Sequence, residues 1–551
     1  MVTPLSPSKS AAFRISTMHF RQNRSALLLT ISALSTFVGA ACSNGGAGSH
    51  GSGGTIPTGG IGVSGGTTSQ GGVAGTSSPA SATGGTAAPA AGGAVSSGGA
   101  TSTVGAAGAG GKALGGAIGS GGGAAGGAVG SGGAVAFGGS GGSSGSSDSG
   151  AADPCGPDNP AAVPLPVIST GTFDVTTYGA VGDDKTDSTT ALQKALTAAG
   201  TAGGGTVAVP AGTYLSGPLT LGSGTRIDLA KGATLKMLPK SSYPGATAFL
   251  TANNAHDIAL TGSGTIEGQG QDWWTAFASD SSLARPQEVI FSNSTRVLIS
   301  GVRFQNPPEE HIWVKGDKDL TITGITISTL AVSGKSPPKN TDGVDITADG
   351  VFFCNNNIEC GDDNVAMSGS NIYLGYSTFG VGHGCSIGSI TKNGVSKLTV
   401  DHLTMNGTTS GIRMKSARDR GGLVQNLVYS NITMTDVQNP IYITSYYPTM
   451  PTDPKADPAQ ALTATTPEWQ NITIKNVTIT GATNAGILWG LPEAKISSVI
   501  FDNVRIQAST GMQIFHATGI SFIGGSTVTA KSGAAATTYD ADVTGIATAA
   551  Y

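Results

Sequence analysis

A short phrase recurs along the second part of the chain and constrains its fold more than any other feature. The phrase is a polar residue, three positions of alternating character, Asn or Gly, and three further alternating positions. Each copy predicts two short strands joined at a residue that tolerates the left-handed backbone conformation. The copies occupy residues 295–304, 319–327, 349–358, 396–405, 425–434, 470–479 and 497–506. Most of them follow one another at roughly 20 to 30 residues, the length of a solenoid repeat.

A repeat of this length built from short strands is typical of a solenoid, in which successive coils lie about 4.8 Å apart. One helix is predicted, over residues 188–199, with Leu192, Ala195 and Leu196 on its apolar face. Its place near the start of the repeats suits a cap over the first coil. A leucine-rich horseshoe is the alternative solenoid, but the sequence lacks its Leu-x-x-Leu-x-Leu spacing. We therefore expect an all-β fold: a right-handed parallel β-helix with a short N-terminal capping helix.

Residues 1–152 have the composition of targeting and linker segments. Arginines precede an apolar run at 26–41 that ends in small residues, which is the layout of a secretory signal, so residues 1–42 are predicted to be a signal peptide. Cys42 stands where a bacterial lipoprotein carries its lipid, and lipidation and ordinary cleavage both remain open. Residues 43–152 are rich in Gly, Ala and Ser, which predicts a disordered linker. The β-helix domain would then span residues 172–551. The chain is expected to be exported, either secreted or held at the outer membrane or cell surface as a lipoprotein.

The charge balance excludes a nucleic-acid partner. Charged residues make up 11% of the chain and the formal net charge is −4, so no basic field is present. An acidic substrate would need a few local cations. The cysteines other than Cys42 are Cys155, Cys354, Cys360 and Cys385. Export permits disulfides, but the sequence leaves their pairing open, and no Cys or His spacing indicates zinc.

Polar segments interrupt the repeats in the middle of the array. The spacing from Asp342 to Asp363 nearly equals the spacing from Asp363 to His383, and each is about one short coil, so these side chains should stack on consecutive coils. Arg413 follows His383 by about one longer coil, and Lys415 shares its strand face. The segments are Asn340-Thr341-Asp342-Gly343, Gly361-Asp362-Asp363-Asn364, Gly382-His383-Gly384 and Gly411-Ile412-Arg413-Met414-Lys415.

Such a cluster predicts glycosidic cleavage of an acidic sugar chain. Crowded carboxylates repel one another, so at least one keeps its proton at a raised pKa. One protonated acid beside ionised partners is what glycoside hydrolysis requires. The two cations can hold a uronic acid carboxylate. A single Asp-Gly or Gly-His-Gly is most often a turn, but four such segments at coil spacing favour a site.

The four segments closely resemble the signature segments of polygalacturonases, the glycoside hydrolase family 28 of pectinases. The resemblance extends over most of residues 172–551. Residues 386–389 and 416–422 are nearest to bacterial members, and residues 267–274 resemble the glycine-rich turn and Trp pair of the family. We expect no helix after those glycines.

The resemblance implies a role for each residue. Asp362 would be the general acid, Asp342 and Asp363 would position and deprotonate the attacking water, and His383 would tune the protonation of Asp362. Substrate-binding residues would be Asn340, Arg413, Lys415 and Tyr447, with Tyr446 as the alternative to Tyr447. The resemblance further implies α-1,4 hydrolysis of polygalacturonate with inversion, and neither metal nor cofactor. Stacked aspartates are closer than the roughly 6.5–9.5 Å of inverting enzymes, so inversion is implied by the resemblance alone. We expect a monomer.

Two other functions remain open. A pectate-lyase-like protein would use the same fold, calcium and an Arg base for β-elimination. A non-catalytic β-helix would serve as an adhesin or carbohydrate-binding stalk. The Gly-Asp-Asp and Gly-His-Gly segments favour the hydrolase over both.

Overall fold

The computed structural model describes residues 153–329 and 338–549. The predicted signal peptide at 1–42, with Cys42, and the predicted linker at 43–152 lie outside the described residues. Among the helices of the described part, none has both the length and the apolar character that crossing a membrane requires.

The described residues form one 30-stranded sheet that coils into a parallel β-helix. Each strand pairs with the equivalent strand one coil away, as β16 does with β14 and β18. The expected all-β, right-handed β-helix is confirmed. The strands are β1 Thr172–Asp174, β2 Asp183–Asp187, β3 Gly205–Val209, β4 Gly212–Ser216, β5 Leu219–Thr220, β6 Thr225–Leu229, β7 Ala233–Met237, β8 Leu250–Asn253, β9 His256–Gly262, β10 Thr265–Glu267, β11 Val289–Ser292, β12 Thr295–Ser300, β13 Arg303–Gln305, β14 Ile312–Thr323, β15 Thr326–Ser328, β16 Val344–Cys354, β17 Asn357–Glu359, β18 Val365–Gly375, β19 Thr378–Phe379, β20 Cys385–Ile387, β21 Val395–Asp401, β22 Thr404–Asn406, β23 Ser410–Lys415, β24 Leu423–Thr435, β25 Asn439–Thr444, β26 Glu468–Trp489, β27 Ile496–Ile523, β28 Thr527–Ala530, β29 Ala536–Thr544 and β30 Ala547–Ala549.

Left-handed residues turn the corners of the coils, as the repeated phrase predicts. Asn431, Asn476 and Asn503 occupy the same corner on successive coils, with φ of 55°, 54° and 54°. The Asn476 side-chain amide donates to the side-chain oxygen of Asn431 at 3.1 Å, and Asn503 donates to Asn476 at 2.9 Å. The short polar side chain therefore both tolerates the corner and bonds the coils together. A second left-handed residue near the start of each copy, such as Lys397, was not predicted.

Two α-helices flank the coils of the described part, besides a short 3-10 helix at Val175–Tyr178. The first, α1 (Thr189–Thr201), confirms the predicted cap and buries Leu192, Ala195 and Leu196. The second, α2 (Gln271–Ser279), begins directly after Gly270, so the expectation of no helix there was wrong. Its Trp273 and Trp274 are buried, and the Trp274 indole donates to the Pro307 carbonyl at 2.9 Å. Tertiary packing of two indoles stabilises a helix whose short sequence carries little helical periodicity.

The cysteine pairing that the sequence left open is resolved. Cys155 and Cys354 form a disulfide, while Cys360 and Cys385 are buried thiols. The disulfide links the segment that precedes β1 to the end of β16, a strand of the central coils.

Candidate active site

Asp342, Asp363 and His383 lie in register on three consecutive coils. Val344 pairs with Val365 and Val365 pairs with Cys385, which places the residues two positions earlier beside one another. We call this stack the acid ladder. The stacking predicted from the spacing is therefore present, because an in-register parallel sheet turns equal spacing along the chain into adjacency.

Asp363 is the most heavily bonded carboxylate of the site. It is buried and accepts hydrogen bonds from Lys415 Nζ at 2.9 Å, from Ser386 Oγ at 2.7 Å and from Arg413 Nη1. Arg413 and Lys415 alternate with Met414 on β23, so both point out of the coil toward the same carboxylate. Burial opposes the ionisation of Asp363, but Lys415 and then Arg413 outweigh burial and hold its pKa below the ordinary value.

Asp362 is bonded to His383 on the next coil. The two side chains share a hydrogen bond of 2.8 Å between Asp362 Oδ1 and His383 Nδ1. The backbone N–H of Asn340 also approaches Asp362 Oδ2 at 3.4 Å. Burial again opposes ionisation, but the hydrogen bond and charge of His383, with Lys415 and Arg413, hold the pKa of Asp362 below its ordinary value.

Asp342 has the opposite electrostatic environment. Burial and then the neighbouring charge of Asp362 raise the pKa of Asp342 well above its ordinary value. The electrostatic environment of the uncomplexed protein therefore favours the neutral acid at Asp342 and the ionised form at Asp362 and Asp363. Because the three carboxyls interact strongly, their protonation belongs to the group as a whole. A carboxyl with a raised pKa thus lies beside two carboxyls with lowered pKa values, which is the contrast that general acid and base catalysis uses.

The remaining predicted residues lie around this cluster. The ring of Tyr447 is centred 5.1 Å from Lys415 Nζ and 5.8 Å from the Arg413 guanidinium. Tyr446 lies elsewhere, because its hydroxyl donates to Asp457 at 2.6 Å. Of the two tyrosines weighed from the sequence, only Tyr447 is placed against the two cations.

The acid-bearing turns are held by two residues of the motif segments, Asn364 and Gly384, to which the sequence analysis assigned no role. Buried Asn364 donates through its side-chain amide to Ile358 and Val381 and accepts from the Gly384 N–H, so it bonds three segments. Gly384 itself has φ +80°, and a Cβ there would lie 2.1 Å from the Ser410 carbonyl. Only glycine fits that position.

Ser386 and Arg285 were also missed. Ser386 lies within a stretch noted only for its likeness to bacterial members, although its position three residues after His383 could have indicated a contact with the site. Arg285 precedes the repeats that carry the motifs, and its Nη2 donates to the Asn340 side-chain oxygen at 3.2 Å. Nothing in the sequence linked it to Asn340.

Comparison with known proteins identifies the family. The profile described as Glycosyl hydrolases family 28 matches residues 200–523, more than half of the chain. The chain belongs to glycosyl hydrolases family 28. It is 32% identical over 374 residues to an endo-polygalacturonase of Pectobacterium carotovorum subsp. carotovorum, covering 61% of this chain and 88% of that protein. It is 34% identical over 293 residues to endo-xylogalacturonan hydrolase A of Aspergillus tubingensis, covering 50% and 71%.

Solved structures agree with this assignment. A polygalacturonase from Erwinia carotovora ssp. carotovora superposes with a TM-score of 0.53 at 30% identity, covering 65% of this chain and 97% of that one. A hyperthermoactive exopolygalacturonase from Thermotoga maritima has a TM-score of 0.54 at 20% identity, covering 64% and 92%, and supports the fold. The chain is thus a family 28 glycoside hydrolase.

The donor atoms of this family 28 site could also attract a cation. Ligand atoms of Asp362, Asp363 and His383 lie within 4.8 Å of one another. However, both oxygens of Asp363 already accept from Lys415 and Arg413, whose positive charges compete directly with a metal ion. The cluster is better matched to ion pairing and proton transfer.

A lane of outward-facing residues passes the acid ladder along the helix axis. It is formed by one position on each coil, and all of its members except Ser386 are partly exposed. A sugar chain laid along this lane would pass both the carboxyls and the two cations. Its central members, paired in register, are Trp313, Asp345, Ala366, Ser386, Arg413 and Tyr442.

Proposed function

We propose that this family 28 hydrolase cleaves α-1,4 bonds between galacturonate residues of polygalacturonate and pectin by acid and base catalysis with inversion. The observation that carries the proposal is the contrast among three neighbouring carboxyls, one with a raised pKa and two with lowered pKa values, beside two cations. The names of the relatives, an endo-polygalacturonase among them, support the same substrate.

Asp362 is proposed as the general acid, with Asp342 and Asp363 positioning and deprotonating water. The uncomplexed protein favours the proton at Asp342 over Asp362, so Asp362 must gain a proton when substrate binds. Part of what lowers the pKa of Asp362 is the charge of Lys415 and Arg413. A galacturonate carboxylate bound to these cations would offset their charge and raise the pKa of Asp362. His383, hydrogen-bonded to Asp362, would tune this step.

Four residues are proposed to bind substrate. Arg413 and Lys415 would hold the carboxylate of the sugar at the cleavage point, where the guanidinium can bond it bidentately. Tyr447, whose ring lies against both cations, would pack on that sugar. Asn340 would orient the acid turn, since its backbone approaches Asp362 and its side chain is held by Arg285.

Export is proposed from the sequence of the predicted signal peptide, with the protein either secreted or retained as an outer-membrane or cell-surface lipoprotein lipidated at Cys42. A monomer is proposed as the active form. Metabolic labelling with a fatty acid, in the native protein and in Cys42→Ser, tests the lipid anchor. Size-exclusion chromatography with light scattering tests the monomer.

Incubation with polygalacturonate tests the activity and separates hydrolysis from elimination. A hydrolase releases reducing ends without ultraviolet-absorbing unsaturated ends, and a chelator leaves its rate unchanged. Asp362→Asn should lower the rate at least about 100-fold with an unchanged melting temperature. The control Asp272→Asn, on an exposed turn of α2, should keep full activity. Unsaturated products or retained activity in Asp362→Asn would overturn the proposal, and binding without turnover would favour the stalk.

A further inference from the structure

The connection between β25 and β26 carries Tyr447 and has no regular structure. It spans residues 445–467, and none of these described residues belongs to a strand or helix. Loops of this length without secondary structure are uncommon in compact domains and are usually either functional or disordered. Holding the Tyr447 ring against Lys415 and Arg413 therefore requires anchors elsewhere in the connection.

Arg418, three residues after Lys415, anchors the connection at two points. Its Nη2 donates to Asp457 Oδ2 at 2.6 Å, and its carbonyl accepts from the Thr465 hydroxyl at 2.9 Å. The guanidinium is itself fixed by Glu493, whose two carboxylate oxygens accept from Nε at 2.6 Å and from Nη2 at 3.1 Å. The Glu493 side chain is 6% exposed. A bidentate pair of this kind holds its geometry better than an exposed pair with a single contact does.

Two contacts carry this anchoring to Tyr447. The Tyr446 hydroxyl donates to Asp457 Oδ2 at 2.6 Å, so the phenol and the guanidinium share one acceptor atom. The Tyr447 N–H donates to the Ser416 carbonyl at 2.9 Å, which ties the connection to the chain just after β23. Because Tyr446 and Tyr447 share a planar peptide unit, fixing the first restricts the backbone from which the second ring projects.

We propose that Arg418 is a positioning residue for substrate binding, which holds the Tyr447 ring over the two cations through Asp457 and Tyr446. This proposal rests on the proposed function. Arg418 directs Nε and Nη2 to the carboxylates of Glu493 and Asp457, so it acts through the tyrosine and not by touching the sugar. Both carboxylates bond to the same nitrogen, Nη2. Without the guanidinium two negative charges would be left close together, and their repulsion would displace the connection.

Replacing Arg418 with Met removes the charge and keeps an unbranched side chain. We expect KM for polygalacturonate to rise about fivefold while kcat stays within about twofold of native, because the carboxyls proposed to transfer protons lie on other coils. A purely structural role would instead lower the melting temperature and the fraction of active enzyme, which lowers kcat and leaves KM unchanged. The control Arg420→Met, whose partner Asp419 is exposed, should keep the native KM.

A double-mutant cycle separates action through Tyr447 from a direct contact with substrate. If Arg418 acts through the ring, Arg418→Met should change KM less than about twofold once Tyr447→Ala is present. Equal fold-changes in the two backgrounds, or a native KM in Arg418→Met, overturn this proposal and leave hydrolysis standing. Absence of reducing ends from the native protein overturns the proposed function as well.

Tyr446→Phe is a milder variant that decides the question if Arg418→Met does not fold. It removes only the hydroxyl that donates to Asp457, so KM should rise about threefold at a nearly native melting temperature. That rise should also disappear in the Tyr447→Ala background. A native KM in Tyr446→Phe contradicts the proposed route from Arg418 to Tyr447.

Discussion

Replacing Lys415 with Met removes a buried ammonium that stabilises Asp363. Lys415 is 1% exposed, and its Nζ lies 2.9 Å from Asp363 Oδ2. At an effective dielectric constant of about 20, that contact corresponds to about 6 kcal/mol of attraction. Removing the ammonium also removes the cost of dehydrating it. The net loss of unfolding free energy when one partner of a buried ion pair is removed is about 3–5 kcal/mol. Because Arg413 and Ser386 still bond Asp363, we expect the lower end, about 3 kcal/mol of unfolding free energy.

The pH dependence gives the prediction a direction. The pKa of Asp363 is lowered in the folded protein, so its ionisation contributes stability above its unfolded pKa, and that contribution is lost as the pH falls through the folded value. Lys415 is the charge that lowers this pKa most, so in Lys415→Met the pKa rises. The difference in unfolding free energy between native protein and variant should therefore be largest at neutral pH and shrink below about pH 4.

Urea denaturation at pH 7 and at lower pH measures both quantities. Lys495→Met is the matched control, since Lys495 pairs with Asp540 at 2.7 Å on the surface, where such pairs contribute less than about 1 kcal/mol. Adding Asp363→Asn to Lys415→Met should recover only part of the loss, because the Asp363 charge is then gone but Arg413 loses the carboxylate that it pairs with. A loss below about 1 kcal/mol, or one that is the same at both pH values, would refute the reasoning.

Three further changes test other parts of the molecule. Tyr447→Ala should raise KM for polygalacturonate about tenfold while Tyr447→Phe stays near native, because the ring rather than the hydroxyl lies against the cations. Equal effects of the two variants on KM in steady-state kinetics would contradict this. Gly384→Ala should abolish hydrolysis or lower the melting temperature, since the added Cβ would lie 2.1 Å from the Ser410 carbonyl oxygen. A native rate of hydrolysis together with a native melting temperature would be inconsistent with that contact. The Cys155→Ser, Cys354→Ser double variant should lose about 2–4 kcal/mol of unfolding free energy, because the bond closes a loop of 199 residues; reductant should lower the denaturation midpoint of the native protein and leave that of the variant unchanged.

The fold could be predicted because a β-helix is nearly one-dimensional. Corner residues such as Asn431 and Asn476 recur at the period of the coil, and alternation within each phrase separates inward from outward side chains. The helix α2 departs from this regularity. Its stability comes from indole contacts with distant segments, and so short a sequence does not encode its partners.

The acid ladder was predictable for the same reason. Nearly equal spacings along the chain become adjacency once the coils are in register, so Asp342, Asp363 and His383 could be placed together from their numbers alone.

The sequence by itself determined the solenoid, the acids that stack and the cations that face them, because each depends only on periodicity along the chain. Only the tertiary structure decided the direction of each pKa shift, since burial and Asp362 raise the pKa of Asp342 while Lys415 and Arg413 lower that of Asp363. It likewise decided the pairing of Cys155 with Cys354 and the position of Tyr447. These features depend on contacts between segments of irregular length, whose separation along the chain does not specify their separation in space.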